Sequence, residues 1–117
     1  MKRITYLVGT AWTKDNKPVE DATIKLHGAE TTAARQFGGY TAYPTNGGWI
    51  NPQGNLVREP GVALVILTTA SMDEINQFGN YLRNSFEQSA VYMTVEDVEL
   101  REITEVPVSQ SESIVTA

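Results

Sequence analysis

Val62-Ala63-Leu64-Val65-Ile66-Leu67 is the longest unbroken apolar run in the chain, and the residues around it decide the fold. A membrane-crossing helix needs ~20 apolar residues, so this run is far too short to span a bilayer. Rich in β-branched residues and apolar on both faces, it reads as a strand in the middle of a sheet. It closes a longer strand, Leu56 to Thr69, which Asn51-Pro52-Gln53-Gly54 precedes. Each of those four residues stands where a type I turn favours it, so Tyr40 to Ile50 and Leu56 to Thr69 form a hairpin. Pro44 and Pro60 have no ladder donor and belong at edges, bulges or strand ends. The upper part of the hairpin is therefore expected to project beyond the packed body.

Helices flank this hairpin on both sides. Val19, Ala22, Leu26, Ala29, Ala33 and Phe37 keep the three-four spacing of one apolar stripe, and Gly38-Gly39 supplies the stop. Asp15-Asn16-Lys17-Pro18 points to a helix start at the proline, with Glu20 and Asp21 beside the positive end of the dipole. The second helix begins at Ser71, which together with Glu74 makes a capping box, and carries the stripe Ile75, Phe78, Leu82 and Phe86. Alternation in Ile4, Tyr6, Val8 and Trp12 marks a first strand that frays at Gly9. Alternation from Val91, Met93 and Val95 through Val98 and Leu100 to Ile103 marks a long last one. The order β-α-β-β-α-β is the ferredoxin-like α+β sandwich, an antiparallel sheet with both helices on one face.

That plan leaves the other face open, and Tyr6 or Leu7, Tyr92, Val98 and Leu100 make it too apolar to stand alone in water. A homo-oligomer is expected, with sheet-face or strand-edge contacts between copies.

With 117 residues the chain has room for one core, a single domain over 1–103, followed by a polar, Ser-rich tail over 104–117. In that tail Val106 with Val108, or Ile114 with Val115, suits a short strand added to a neighbouring sheet edge. The absence of cysteine excludes disulfides, thiolate nucleophiles and thiolate metal sites. A net charge of −5 repels a phosphate backbone, so nucleic acid is not an expected partner. The basic N-terminus Met1-Lys2-Arg3 is followed by too short an apolar stretch for a signal peptide, which points to the cytoplasm and away from a membrane.

Chemistry has few places to reside. His27 stands alone and reads as a half-exposed helix residue. Glu96, Asp97, Glu99 and Glu102 lie along a strand whose alternate side chains diverge, so they read as solvated rather than as a cation site. No phosphate loop, dinucleotide fingerprint, calcium loop, metalloprotease helix or serine elbow is present, and no metal or cofactor is expected. The segment least like plain scaffolding runs from Tyr40 through Tyr43, Asn46, Gly47, Gly48 and Trp49, and resumes at Arg58-Glu59. Trp49 can stack a planar ligand, Arg58 can fork onto a carboxylate or phosphate, and Gly47-Gly48 let backbone N–H groups approach closely. Glu59, if shielded, can act as an acid or base. Tyr40, Tyr43, Asn46, Gly48, Trp49, Arg58 and Glu59 are accordingly the candidate ligand-binding residues. The bland alternative is a hairpin in which Trp49 packs across the strands while Arg58 and Glu59 face water.

Phe37-Gly38-Gly39-Tyr40, Gly48-Trp49, Gly54, Val57-Arg58-Glu59-Pro60 and Phe86-Glu87-Gln88-Ser89-Ala90-Val91 together resemble a family of small bacterial and phage proteins of ferredoxin-like form. The likeness covers residues 33–95 and implies the same order of strands and helices. It also implies that Trp49, Arg58, Glu59 and Gln88 are the first positions to test. The expected function is an oligomeric binding module for a small planar or anionic metabolite or nucleotide, such as a phage protein that sequesters a ligand, rather than an enzyme. Two alternatives stay open. One is a metal-independent lyase or isomerase working through Glu59 and a tyrosine; the other is a structural or protein-interaction subunit.

Overall fold

Leu56–Thr68, the strand that carries the apolar run, lies inside the sheet with a neighbour on each edge. The computed structural model describes residues 1–105. Its elements are β1 (Lys2–Gly9), α1 (Ala22–Phe37), β2 (Thr41–Ile50), β3 (Leu56–Thr68), α2 (Met72–Ser85) and β4 (Tyr92–Asp97). The sheet order is β2-β3-β1-β4 and every neighbouring pair is antiparallel, which makes the fold ferredoxin-like α+β. Each helix returns the chain across the sheet to a strand parallel to the one it left, with one strand slotted between.

The hairpin turn forms as its residues require. Gly54 N–H donates to the Asn51 carbonyl (2.9 Å), and the Asn51 side-chain oxygen accepts from the Gln53 and Asn55 N–H groups (3.1 and 2.9 Å). Gly54 takes the left-handed conformation that glycine tolerates (φ 81°).

One side of the sheet is buried beneath the helices. Ile4, Tyr6 and Val8 of β1 and Val62, Leu64 and Ile66 of β3 pack against Ala29 and Ala33 of α1 and Ile75, Phe78 and Leu82 of α2. Each large side chain so buried stabilises the fold by ~1.5–3 kcal/mol. Phe78 meets Tyr6 and Phe37 edge to face, with ring centroids 5.4 and 5.3 Å apart. Tyr6, expected as a possible open-face residue, belongs to this core instead: it is fully buried and its hydroxyl donates to the Ile75 carbonyl at 2.7 Å. Its register with Leu64 places it on the helix side, and Leu7 takes the open side.

Two boundaries differ from the sequence reading, each because hydrogen bonds elsewhere claim the residues. The first helix starts at Ala22, not at Pro18. Pro18 pairs with Trp12 in an isolated bridge, Thr13 N–H donates to the Lys17 carbonyl (2.7 Å) and Val19 N–H to the Ala11 carbonyl (2.9 Å), so the chain is still a loop there. Asp21 then occupies the N-cap in a left-handed conformation, and its side chain caps nothing. At the other end β4 stops at Asp97 and does not run on to Ile103. Its neighbour β1 begins at Lys2 opposite Asp97, and beyond the bond from Val98 N–H to the Met1 carbonyl (3.0 Å) the strand finds no further ladder partner among the described residues. Val98 and Leu100 therefore lie beyond the last strand. The strand expected around Val106, Val108, Ile114 and Val115 lies outside the described residues, as does most of the 104–117 tail.

Candidate functional site

Antiparallel register places a row of four side chains across the open face: Tyr43, Ala63, Leu7 and Tyr92, one from each strand in sheet order. Ala63 is buried between its neighbours, whereas Leu7 and Tyr92 remain 42% and 74% exposed. Past this row the sheet narrows, because β1 ends at Gly9 opposite Gly61 while β2 and β3 continue together from Asn46↔Pro60 to Ile50↔Leu56. The projecting arm expected from the prolines is thus present. It leaves the sheet at a point of close backbone approach: a Cβ on Gly61 would strike the Val8 carbonyl oxygen, so only glycine fits.

A cleft of about 640 Å³ lies in the angle between arm and open face. The arm supplies Asn46, Gly47, Trp49 and Glu59, the sheet supplies Leu7 and Tyr92, and the junction after α2 supplies Gln88 and Ser89. Trp49 and Glu59 meet on a diagonal of the ladder. Gly47 stands opposite Glu59 and has no side chain, so the indole crosses to the carboxylate and its Nε1–H donates to Glu59 Oε1 at 3.1 Å. Among the described residues no lysine or arginine pairs with Glu59. The carboxylate is exposed, held by one neutral donor, and its charge is left uncompensated.

Of the residues singled out from sequence, Asn46, Gly48, Trp49 and Glu59 line this cleft. Arg58 does not. It follows Val57 and precedes Glu59 on a strand, so its side chain goes to the opposite face of the arm, with Leu56. Tyr43 belongs to the open-face row and to the rim of a second, smaller cavity of about 310 Å³ under α1. Tyr40 lies elsewhere, near Glu30, whose carboxylate holds the phenol's pKa above its ordinary value. The smaller cavity is lined mainly by Ala22, Leu26, Ala42, Pro44 and Val62 and has Glu30 as its one charged group. Tyr43 and Glu30 both lie in its lining, but its volume is about half that of the larger cleft. Leu7, Thr45, Ser89, Ala90 and Tyr92 complete the larger cleft without having been read as site residues. Leu7 and Tyr92 were legible as open-face residues, but only the β1–β4 pairing brings them to the arm.

Three of the four acidic candidates near the last strand are accounted for by simple pairing. Glu96 meets Arg3 (2.7 Å), Asp97 meets Lys2 (3.0 Å) and Glu99 meets Arg101 (2.8 Å), all at the surface, where such pairs contribute ~0–1 kcal/mol. No group of three or more potential metal ligands converges among the described residues. His27 is exposed on α1. No described helix is long and apolar enough to cross a membrane.

The chain shares its fold with a phage SAM lyase. That structure, solved in complex with S-methyl-5′-thioadenosine, superposes with a TM-score of 0.60 at 20% sequence identity, covering 82% of this chain and 80% of that one. CutA from Synechococcus elongatus is similar at a TM-score of 0.53 and 12% identity, covering 81% and 73% of the two chains. CutA from Pyrococcus horikoshii gives 0.53 at 9% identity over 97% and 96%. At these identities the likeness is one of fold. No family model and no curated protein sequence matches the chain.

Proposed function

We propose that this protein is a small oligomeric module that holds a planar nucleoside-type molecule in the cleft between arm and open face, with a second copy closing the cleft. The observation that carries the reading is the meeting of the Trp49 indole with an unpaired Glu59 carboxylate at a cleft large enough for a drug-sized ligand. An aromatic plane supplies stacking area, and the carboxylate accepts from ligand N–H or O–H groups or balances a ligand cation. The lining carries no basic side chain, which favours a neutral or cationic ligand over an anionic one. A fold neighbour that holds S-methyl-5′-thioadenosine supports adenine thioethers and their sulfonium parents as the first compounds to try.

The expected result is a saturable change in tryptophan fluorescence on titration with S-methyl-5′-thioadenosine, lost in Trp49→Phe while a calorimetric titration still records binding. A flat calorimetric trace with both S-methyl-5′-thioadenosine and S-adenosylmethionine would sink the proposal.

A second reading, a metal-independent lyase, draws on the Glu59 carboxylate, which lines the same cleft as Tyr92 and has no cationic partner among the described residues; exposed in a single copy, it needs the second copy to shield it. When the C–S bond of a sulfonium breaks, sulfur keeps the electron pair and departs as a neutral thioether. The carbon it leaves takes its new bond from within the substrate, through proton loss to Glu59 or attack by the substrate's own carboxylate. An anion that orients the sulfonium serves either course. Mass spectrometry of S-adenosylmethionine incubated with the protein decides the matter: release of S-methyl-5′-thioadenosine that disappears in Glu59→Gln supports the lyase. Binding without release leaves the module alone standing.

A further inference from the structure

Gln88 is held more firmly than a loop residue needs to be. α2 ends in a Schellman motif: Glu87 N–H donates to the Asn84 carbonyl (3.1 Å), Gln88 N–H donates to the Arg83 carbonyl (2.9 Å), and Glu87 adopts the left-handed conformation between them (φ 50°). The backbone of Gln88 is thereby fixed. Its side chain is fixed as well, since one terminal atom lies 2.7 Å from the Trp12 carbonyl oxygen and 2.9 Å from the Phe86 carbonyl oxygen. Two acceptors around one atom require that atom to be the amide nitrogen, whose two N–H groups they consume. The other atom, Oε1, is consequently an acceptor with an assigned direction.

That direction is toward the open face at the cleft. Oε1 lies over Gly9, so close that a Cβ there would come within 2.7 Å of it, and both Gly9 and Gln88 line the cleft beside Tyr92. Among the described residues Oε1 accepts no hydrogen bond. A carboxamide whose donors are spent on backbone and whose acceptor is turned to a cleft wall is equipped to accept and not to donate. We infer that Gln88 is a specificity-determining residue, whose Oε1 accepts a hydrogen bond from an N–H or O–H donor of the bound nucleoside. The inference rests on the proposed nucleoside site and adds the polarity of one contact within it. Gly9 is the positioning residue, because any side chain there displaces the carboxamide.

Two donors of an adenine nucleoside qualify, the 6-amino group and the ribose hydroxyls, and ligand analogues separate them. Calorimetric affinities are measured for S-methyl-5′-thioadenosine, its inosine counterpart, which carries a 6-oxo acceptor in place of the amine, and its 2′,3′-dideoxy counterpart. Unaltered protein should prefer the first over one analogue by about tenfold, the worth of one well-made neutral hydrogen bond. In Gln88→Met that preference should fall to about one, because the affinity for the analogue lacking the donor stays as it was. Gly9→Ala should weaken the same ratio with Gln88 still present, and thermal melting of both variants records that they fold. If Gln88→Met weakens all three ligands equally, Gln88 only braces the Trp12 loop and the inference is overturned while the site survives. Unchanged affinities overturn it too. Failure of the unaltered protein to bind any of the three removes the site and this contact together.

Discussion

Tyr6 shows how much one atom inside the core can dictate. Its ring is needed where α2 crosses the sheet, and Gly79 makes room for it: a Cβ there would sit 3.2 Å from the ring. The hydroxyl at the tip is buried as well and is satisfied only by the Ile75 carbonyl. Burial pushes the phenol well above its ordinary pKa, since a phenolate there would be stripped of water. A folded-state pKa raised above the unfolded value leaves stability whole below the unfolded value, ~10, and drains it as pH climbs past that point toward the folded one. Melting temperature should therefore hold level from neutral pH and fall above about pH 10. Tyr6→Phe should cost about 1 kcal/mol at neutral pH, the net worth of the lost hydrogen bond, and make the alkaline fall shallower. An equally steep fall in the variant would assign the alkaline loss to other groups. At the same scale, the split between Arg58 and Glu59 was legible in part: consecutive strand residues must face opposite sides. Which of them faces the cleft depends on the register with Gly47 and on where β1 ends, and no local pattern encodes either.

Elements were readable wherever their own residues settle them. Ser71 accepts from the Glu74 N–H at 3.2 Å as its position before an apolar stripe requires, and the turn at Asn51 forms from its own four residues. Limits imposed by distant partners were not readable. β4 is only as long as the β1 edge it pairs with, and α1 begins only after the loop around Pro18 has used its backbone groups on Ala11 and Trp12. The end of α2 is a third such case. Phe86-Glu87-Gln88 contains no glycine to announce a left-handed cap, yet Glu87 adopts one, and its carbonyl accepts from Lys14 N–H at 2.8 Å. A side chain in that conformation costs ~1–2 kcal/mol, of which the extra freedom of an unfolded glycine would return ~0.4–1. Glu87→Gly should accordingly raise the stability measured by urea denaturation by roughly 0.5–1 kcal/mol, with the slope of the transition unchanged. A decrease would mean that the Glu87 side chain contributes something that its exposed position does not suggest.

On the scale of the whole molecule, half of the sheet's work is unfinished in a single copy. One side is covered by two helices; the other shows Leu7, Leu67 and Tyr92 to water, and no described residue roofs it. The arm adds to the exposure. It is a two-stranded ribbon beyond the reach of either helix, with Trp49 on one side and Ile50 and Leu56 on the other, 48%, 64% and 56% exposed. A hairpin alone in water is marginal, and exposed apolar side chains grouped like these favour association. Arm and open face meet at the cleft, so a copy that covers one narrows the mouth of the other, and the ligand site and the assembly become a single question. Sedimentation at micromolar concentration should find an oligomer. Leu67→Lys, which sets a charge on the open face outside the cleft lining, should yield monomers with far-ultraviolet circular dichroism intact, because the Leu67 side chain belongs neither to the core nor to the cleft. In the monomer the affinity for S-methyl-5′-thioadenosine should drop at least tenfold, since on the proposed reading the second copy closes the cleft. A monomeric unaltered protein would show that one copy suffices, and a Leu67→Lys monomer that binds at full strength would show that the cleft is complete without company.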